Sequence, residues 1–203
     1  MKLGNVAYAV IGTGRGSGSG LIPNEFVTRL LWAFAFVLIP VLPTPSLAEE
    51  TVVEWEPGKL YRAGVRVSDP ATGGSFVIPS EWEGRIPPGS DALLLGSDRH
   101  SGVGVVALMA QVDRAELKQK LSEPQDFGGE VILQLSSPIE EDERTIRASY
   151  LHGNVVGRAC AVMGPEGRAI VFFLAGPTGD AALYERLLSE LAASTTFEPV
   201  SAA

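Results

Sequence analysis

The chain has 203 residues, of which 45% are hydrophobic and 20% are charged, and both values are ordinary for one globular domain. Its 16 basic and 24 acidic residues give a formal net charge of −8, and an acidic surface repels phosphate backbones, so nucleic acid is excluded as a partner. The single cysteine excludes an internal disulfide.

The N-terminal part of the chain has the composition of a targeting segment. Arg29 precedes the apolar run Leu30–Leu42, and small residues ending in Ala48 stand before two glutamates. These features are typical of a secretory signal peptide. The run is shorter than the roughly 20 residues that span a bilayer, and Pro40 would kink a helix there. We predict a signal peptide over residues 24–48, cleaved after Ala48, with an uncleaved membrane tether as the alternative.

Residues 1–23 precede this signal, and we interpret them as a disordered leader or as the product of a misassigned translation start. Removing residues 1–48 removes Lys2, Arg15, Arg29 and Glu25, which leaves 13 basic and 23 acidic residues and a net charge of −10. The mature protein is therefore predicted to begin at Glu49, to be acidic, and to act in the periplasm or outside the cell without a permanent membrane span.

A glycine-rich segment in the leader, Val10–Gly16, has the appearance of a dinucleotide-binding loop after a strand. The motif requires a third glycine, and serine stands at both positions that could supply it, Ser17 and Ser19. No helix-forming segment follows to hold a pyrophosphate at its N-terminus. No nucleotide or other cofactor is predicted.

Residues 49–63 are polar and contain a Pro-Gly pair, so they are predicted to form an irregular lead-in to a single domain over residues 64–199. Within that domain, short apolar runs alternate with turn clusters, which is typical of strands joined as hairpins. The predicted strands are Gly64–Ser68, Ser75–Ile78, Asp91–Gly96, Val103–Val112, Glu130–Ser136, Arg144–Leu151, Asn154–Met163 and Arg168–Ala175.

Two helices are predicted among these strands. Asp113 and Glu116 form a capping box that begins the first helix, and Pro124 ends it. The second helix, Asp180–Ala193, carries a leucine stripe on one face, made of Leu183, Leu187 and Leu191. Sequential strands with segregated helices indicate an α+β fold with an antiparallel sheet.

The segment Ser75–Trp82 resembles the opening of PsbP-like domains, in which an apolar strand, a proline and two residues precede a tryptophan. That superfamily includes extrinsic proteins of photosystem II, a Ran-binding nuclear import factor and exported bacterial proteins. The resemblance extends over about Gly64–Phe197. It implies an α/β/α sandwich with a central antiparallel sheet and a C-terminal helix, in a family whose members mostly bind other proteins. No functional residue of the family matches a motif in this chain.

Two arrangements in the sequence are similar to those of hydrolases. Cys160 could act as a nucleophile with His152 or His100 as its base, and Arg158 shares its strand face. Alternatively, the loop Ser97–Ser101 gathers serine, aspartate and histidine. A strand cysteine among small apolar residues is usually a core residue, and neighbours in one turn rarely form a triad.

Metal binding receives little support from the sequence. Glu140–Glu143 is a run of four acidic residues, but it lacks the alternating spacing and the glycine of a calcium loop, which favours a solvated turn. With two histidines and one cysteine, a zinc site is not predicted.

Three aromatic residues could contact a partner. Trp82 follows Pro79 directly after a strand and is predicted to lie in the core, whereas Trp55 and Tyr61 are predicted as possible partner contacts. The sequence as a whole predicts an exported, non-catalytic binding or accessory protein of the cell envelope with a protein partner. The alternative is a small secreted hydrolase that uses Cys160 or the Ser97–Ser101 loop.

Overall fold

The computed structural model describes residues 51–127 and 131–199, in which the alternating apolar runs form strands. The predicted signal peptide and the leader before it lie outside the described residues. The strands are β1 (Val52–Glu54), β2 (Leu60–Tyr61), β3 (Arg66–Asp69), β4 (Gly74–Val77), β5 (Glu83–Arg85), β6 (Ala92–Gly96), β7 (Val103–Met109), β8 (Gln125–Asp126), β9 (Ile132–Leu135), β10 (Glu140–Glu141), β11 (Thr145–His152), β12 (Val155–Met163), β13 (Ala169–Pro177) and β14 (Thr196–Phe197).

The strands form a large sheet and a small sheet. In the large sheet the spatial order is β2-β5-β6-β7-β13-β12-β11-β9-β8, and β10 pairs with β11. All of its pairings are antiparallel. The small sheet has the order β1-β3-β4-β14, and β1 runs parallel to β3. Long hairpins therefore build the centre of the large sheet, in agreement with the predicted α+β class.

Helix α2 (Ala181–Ser194) covers one face of the large sheet. Its leucine stripe supplies Leu187 and Leu191, which are buried in a core shared with the small sheet. Phe76 of the small sheet meets Phe172 of the large sheet edge to face at 5.3 Å between ring centroids. The small sheet and α2 thus form one layer on this face, which we call the α2 face.

Helix α1 (Arg114–Ser122) packs on the opposite face, which we call the α1 face. Asp113 caps it by accepting hydrogen bonds from the backbone N–H groups of Ala115 and Glu116 at 3.1 and 3.4 Å. Helices on both faces of one sheet make the α/β/α sandwich that the sequence predicts. Within the described part of the chain, neither helix is long and apolar enough to cross a membrane.

The elements largely follow the predicted ones, with differences among the shortest strands. The lead-in predicted as irregular contains β1 and β2, and the short strands β5, β8, β10 and β14 were not predicted. Each is two or three residues long and pairs with a strand distant in the sequence or with a hairpin partner. Such strands are stabilised by tertiary pairing rather than by their own alternation, so the sequence pattern gave no signal for them.

Candidate interaction surface

The α1 face of the large sheet is apolar across its central strands. Alternation along β12 and β13 directs Cys160 and Phe172 toward α2, and directs Ala161 and Phe173 to the α1 face. In the same way, Gly157 of β12 lies on the α1 face, where an added Cβ would stand 2.9 Å from the Phe173 ring. Gly157 therefore leaves room for the Phe173 and Leu133 side chains of neighbouring strands, which fill this part of the α1 face.

Helix α1 covers only one side of this face. Leu117 and Leu121 are buried in a core with residues of β11, and the Tyr150 hydroxyl donates a hydrogen bond to the Leu121 carbonyl at 2.5 Å. Phe127, which follows the helix, packs on Phe173 at 4.8 Å between ring centroids. The cover described by the structure thus lies over β11, β12 and part of β13.

Beyond that cover, the α1 face continues over β6, β7 and β13 with apolar side chains. Val103 is 39% exposed, and four further side chains are half-buried. We call this group the apolar strip; its members are Leu94, Val103, Val105, Met109 and Val171. Strand register places Leu94 opposite Val105.

Two charged residues border the strip on its outer side. Glu83 and Arg85 of β5 are both exposed, and register places Arg85 opposite Leu94. Because directly paired residues in a sheet project to the same face, these charges lie on the α1 face beside the strip. The surface therefore has an apolar centre and a charged edge, which is the arrangement of a protein contact surface.

The two aromatic residues predicted as partner contacts differ in position. Tyr61 is 1% exposed, and its hydroxyl accepts a hydrogen bond from the Glu56 backbone N–H at 2.6 Å and donates to the Glu54 carbonyl at 3.0 Å. The structure therefore corrects the prediction for Tyr61, which is a core residue that fixes the segment on either side of Trp55. Trp55 is half-buried against the core of the α2 face.

Cys160 and Trp82 are buried, as predicted. Cys160 is fully buried, and burial raises the pKa of its thiol to about 11. His152 pairs with Val155 at the far end of the β11–β12 hairpin, five residues along β12 from Cys160, which corresponds to roughly 16 Å of strand. The structure thus separates the thiol from this histidine, and the raised pKa opposes its activation as a nucleophile.

His100 is held by a carboxylate that the sequence analysis did not identify. Its Nε2 lies 3.1 Å from a carboxylate oxygen of Glu81, which also pairs with Arg99, and its ring stacks over Trp82 at 6.4 Å between centroids. The hydrogen bonds with His100 and with Arg99 lower the pKa of Glu81. Glu81 has φ of 67°, a left-handed conformation that non-glycine residues adopt rarely. No motif connects these residues, because the contact joins two loops.

The serines near His100 make hydrogen bonds that stabilise the turn and connect it to α2. The Ser97 hydroxyl accepts a hydrogen bond from the Arg99 backbone N–H at 3.1 Å, and the Ser101 carbonyl accepts one from the Tyr184 hydroxyl at 2.5 Å. Neither contact places a serine hydroxyl on the imidazole. The geometry of this loop is therefore that of a turn tied to α2, and it does not support the hydrolase alternative.

The acidic run Glu140–Glu143 is engaged in local structure. Glu141 pairs with Lys118 and Arg114 of α1, and the Lys118 hydrogen bond lowers the pKa of Glu141. Asp142 accepts hydrogen bonds from the side chain and backbone of Thr145 and from the backbone of Arg144, which lower its pKa to about 2. Among the described residues, no three potential ligands are grouped as a metal site would require.

Comparisons with known proteins gave structural similarities alone. No protein-family description and no curated protein matches the chain. Cyanobacterial PsbP from Synechocystis is 14% identical with a TM-score of 0.47, over 70% of this chain and 95% of that chain. The Ran-binding protein Mog1p of Saccharomyces cerevisiae is 12% identical with a TM-score of 0.44, over 65% of this chain and 94% of that chain.

A Bacteroides thetaiotaomicron protein is also similar, at 17% identity and a TM-score of 0.39, over 71% of this chain and 50% of that chain. The PsbP-like resemblance predicted from Ser75–Trp82 is thus confirmed as a resemblance. It assigns no activity, ligand or partner to this chain.

Proposed function

We propose that this protein is an exported, non-catalytic accessory protein of the cell envelope that binds another protein through the apolar strip. The observation that supports it is the half-exposed apolar surface at Leu94, Val103, Val105, Met109 and Val171, bordered by Glu83 and Arg85. Contiguous exposed apolar surface on a folded domain marks contact sites, because leaving it in water has a free-energy cost.

The partner that fits this surface is an amphipathic helix with an aliphatic stripe. Three neighbouring strands, β6, β7 and β13, are about 10 Å wide at roughly 4.8 Å per strand spacing, which is close to the diameter of one helix. The domain already packs α1 on the same face through Leu117 and Leu121. A partner helix beside α1 would extend the same type of helix-on-sheet packing.

Trp55 is proposed as a second contact, on the layer that carries α2. It is half-buried and lies in a segment held in place by the hydroxyl of Tyr61. A partner that used both Trp55 and the apolar strip would have to reach both layers of the sandwich. The two contacts can therefore be tested separately.

Export is supported by the sequence of the N-terminal segment, with its positive flank, short apolar run and small residues before Glu49. We expect the protein in the envelope or culture-medium fraction to begin at Glu49 when its N-terminus is sequenced. A start upstream of Leu42 in the exported protein would contradict the signal-peptide interpretation.

The contact surface can be tested by site-specific photo-crosslinking in cells that produce the full chain. A photoreactive residue is placed at Val103, at Trp55, or at Ile132 of β9, which is also exposed (45%) but lies at the other side of the large sheet from the strip and serves as the control. We expect a discrete adduct with another envelope protein from Val103, absent from Ile132 and lost when Val171→Lys places a charge within the strip.

Three outcomes would overturn the role of the strip. One is equal adducts from Val103 and Ile132, which would indicate collision rather than binding. Another is an adduct mapped to residues 1–48 of this chain, which would mean that the leader occupies the strip. The third is an adduct from Trp55 with none from Val103, which would move the contact to the layer that carries α2.

A further inference from the structure

A small polar cleft lies on the α2 face of the large sheet, where β11 and β12 meet α2 and the segment before β10. It has a volume of about 120 Å³. Its charged and hydroxyl side chains are Arg147, Arg158, Glu140, Glu185, Ser137 and Ser149. The apolar strip lies on the opposite face of the sheet, so this cleft is independent of the proposed protein contact.

Arg147 lines this cleft, and its guanidinium makes no hydrogen bond among the described residues. It is half-buried and pairs in register with Glu140 on one side and Cys160 on the other. Despite the facing Glu140, its guanidinium makes no hydrogen bond or ion pair with any described residue. Its charge helps to lower the pKa of the Asp142 carboxyl, but that attraction leaves the five N–H donors of the guanidinium without an acceptor among the described residues. A half-buried, always charged group with free donors favours an anion that can accept hydrogen bonds.

Arg158, the second arginine, is also incompletely bonded. Its Nε is buried and makes no hydrogen bond within the described part of the chain, although a carboxylate oxygen of Glu185 lies 3.3 Å away. One terminal nitrogen donates to the Gly157 carbonyl at 3.2 Å. Glu185 is largely exposed, with 58% of its side chain accessible, so it can move away without loss of buried packing. Register places Ser149 opposite Arg158, with its hydroxyl on the same face.

The size and charge of the cleft define the ligand. A cavity of about 150 Å³ holds a ring of six carbon atoms, so this cleft admits only a small group and excludes a nucleotide. Two arginines and two glutamates make its lining neutral, which disfavours a doubly charged phosphate relative to a single negative charge. The planar guanidinium matches the two oxygens of a carboxylate.

We propose that this cleft binds a small carboxylate, held by Arg147 and Arg158 with Ser149 as a further donor. A carboxylate would supply the acceptors that Arg147 and the Arg158 Nε lack. Glu185 occupies the approach to Arg158 in the absence of the ligand and competes with it. The site therefore accepts a carboxylate of a few non-hydrogen atoms, either free or at the end of a longer molecule.

The test follows the Nε–H resonances of the arginines by nuclear magnetic resonance, in ¹⁵N-labelled protein recovered from cells that express the full chain. Sodium acetate is titrated against sodium chloride at matched ionic strength, and inorganic phosphate and glycine form two further arms. We expect acetate to shift the Arg158 Nε–H resonance saturably, whereas chloride does not. Glycine tests whether the neighbouring glutamates accept an ammonium group beside the carboxylate.

Substitutions then separate a binding site from an ordinary ion pair. Arg147→Gln is expected to weaken acetate binding at least about tenfold, and Arg147→Lys to weaken it less, because lysine keeps the charge but loses the planar fork. Glu185→Gln is expected to strengthen binding by removing the competitor. Arg85→Gln, which removes an exposed arginine from the opposite face, is the matched control and should leave acetate binding unchanged.

Several results would overturn the proposal. A shift that does not saturate, or that chloride reproduces, would show ionic-strength effects alone. Equal weakening by Arg85→Gln would show a general charge effect, and phosphate binding tighter than acetate would refute the carboxylate class. Because Arg147 is half-buried, its variants are expected to fold, and an unchanged spectrum of the core residues verifies this.

Discussion

Replacing Arg168 by methionine tests how much the hydrogen bonds of one buried side chain stabilise the packing of the small sheet on the large sheet. Arg168 is 5% exposed, and its guanidinium donates hydrogen bonds to three backbone carbonyls, those of Pro165 at 3.0 Å, Thr72 at 2.9 Å and Glu198 at 2.7 Å. It also lies over the ring of Phe197, 5.9 Å from the centroid. One buried side chain thus connects the β3–β4 turn, the end of β14 and the turn before β13.

The expected loss follows from which carbonyls remain unbonded. Methionine keeps most of the apolar stem, so packing changes little. The Thr72 contact is buried, and leaving its carbonyl without a partner costs about 1–3 kcal/mol. The Pro165 and Glu198 contacts are partly buried, so water can replace the guanidinium there, and each loss is about 0.5 kcal/mol. Arg168→Met is therefore expected to lower the free energy of unfolding by about 2–4 kcal/mol.

Urea denaturation followed by tryptophan fluorescence measures this change. Arg186→Met is the matched control, because 68% of the Arg186 side chain is exposed and it forms an ion pair with Glu190 on the same helix. Its expected effect is within about 0.5 kcal/mol. Arg168→Lys should lie between the two, since an ammonium cannot bond three separated carbonyls. If Arg168→Met lowered the free energy of unfolding by less than about 1 kcal/mol, Arg168 would not be important for holding the two sheets together.

Three further predictions concern the core, the thiol and one acidic turn. Leu187→Asp should lower the free energy of unfolding by about 3 kcal/mol or more, and an unchanged melting temperature would mean that α2 does not pack on the sheet. Cys160 should react slowly with a thiol reagent in the native protein and rapidly after unfolding, and Cys160→Ala should cost ~1–2 kcal/mol; rapid native labelling would contradict its burial. The pKa of Asp142 falls from 3.8 to about 2 on folding, so its contribution to stability is complete above the unfolded pKa and is lost as pH falls between these values. Asp142→Asn should remove that part of the acid dependence, and identical acid-unfolding curves would argue against it.

The sequence predicted the elements that carry their own periodicity. The leucine stripe predicted a helix over Asp180–Ala193, and the structure has Ala181–Ser194. Asp113 as the cap and Pro124 as the end of the helix likewise predicted α1, which the structure has at Arg114–Ser122. The β12 and β13 runs are long and apolar on both faces, as expected of strands with a helix layer on each side. The burial of Cys160 followed from its small apolar neighbours.

The contacts that matter for function were less accessible to sequence reasoning. Tyr61 was predicted at the surface because it lies in a polar segment, yet the segment folds back so that the ring enters the core. The Glu81–His100 pair joins two loops separated by 19 positions. The cleft between Arg147 and Arg158 arises from the pairing of β11 with β12 and the position of α2. None of these has a local pattern.

The sequence by itself determined the class of fold and most of its elements, because strand alternation, helix stripes and caps are local consequences of side-chain chemistry. The tertiary structure decided which apolar residues remain half-exposed. The sequence of β7 is apolar on both faces, but among the described residues α1 is short and lies to one side, so Val103 stays 39% exposed while Val105 is partly buried. Burial is a property of the layer that packs against a strand, so it depends on residues far away in the chain.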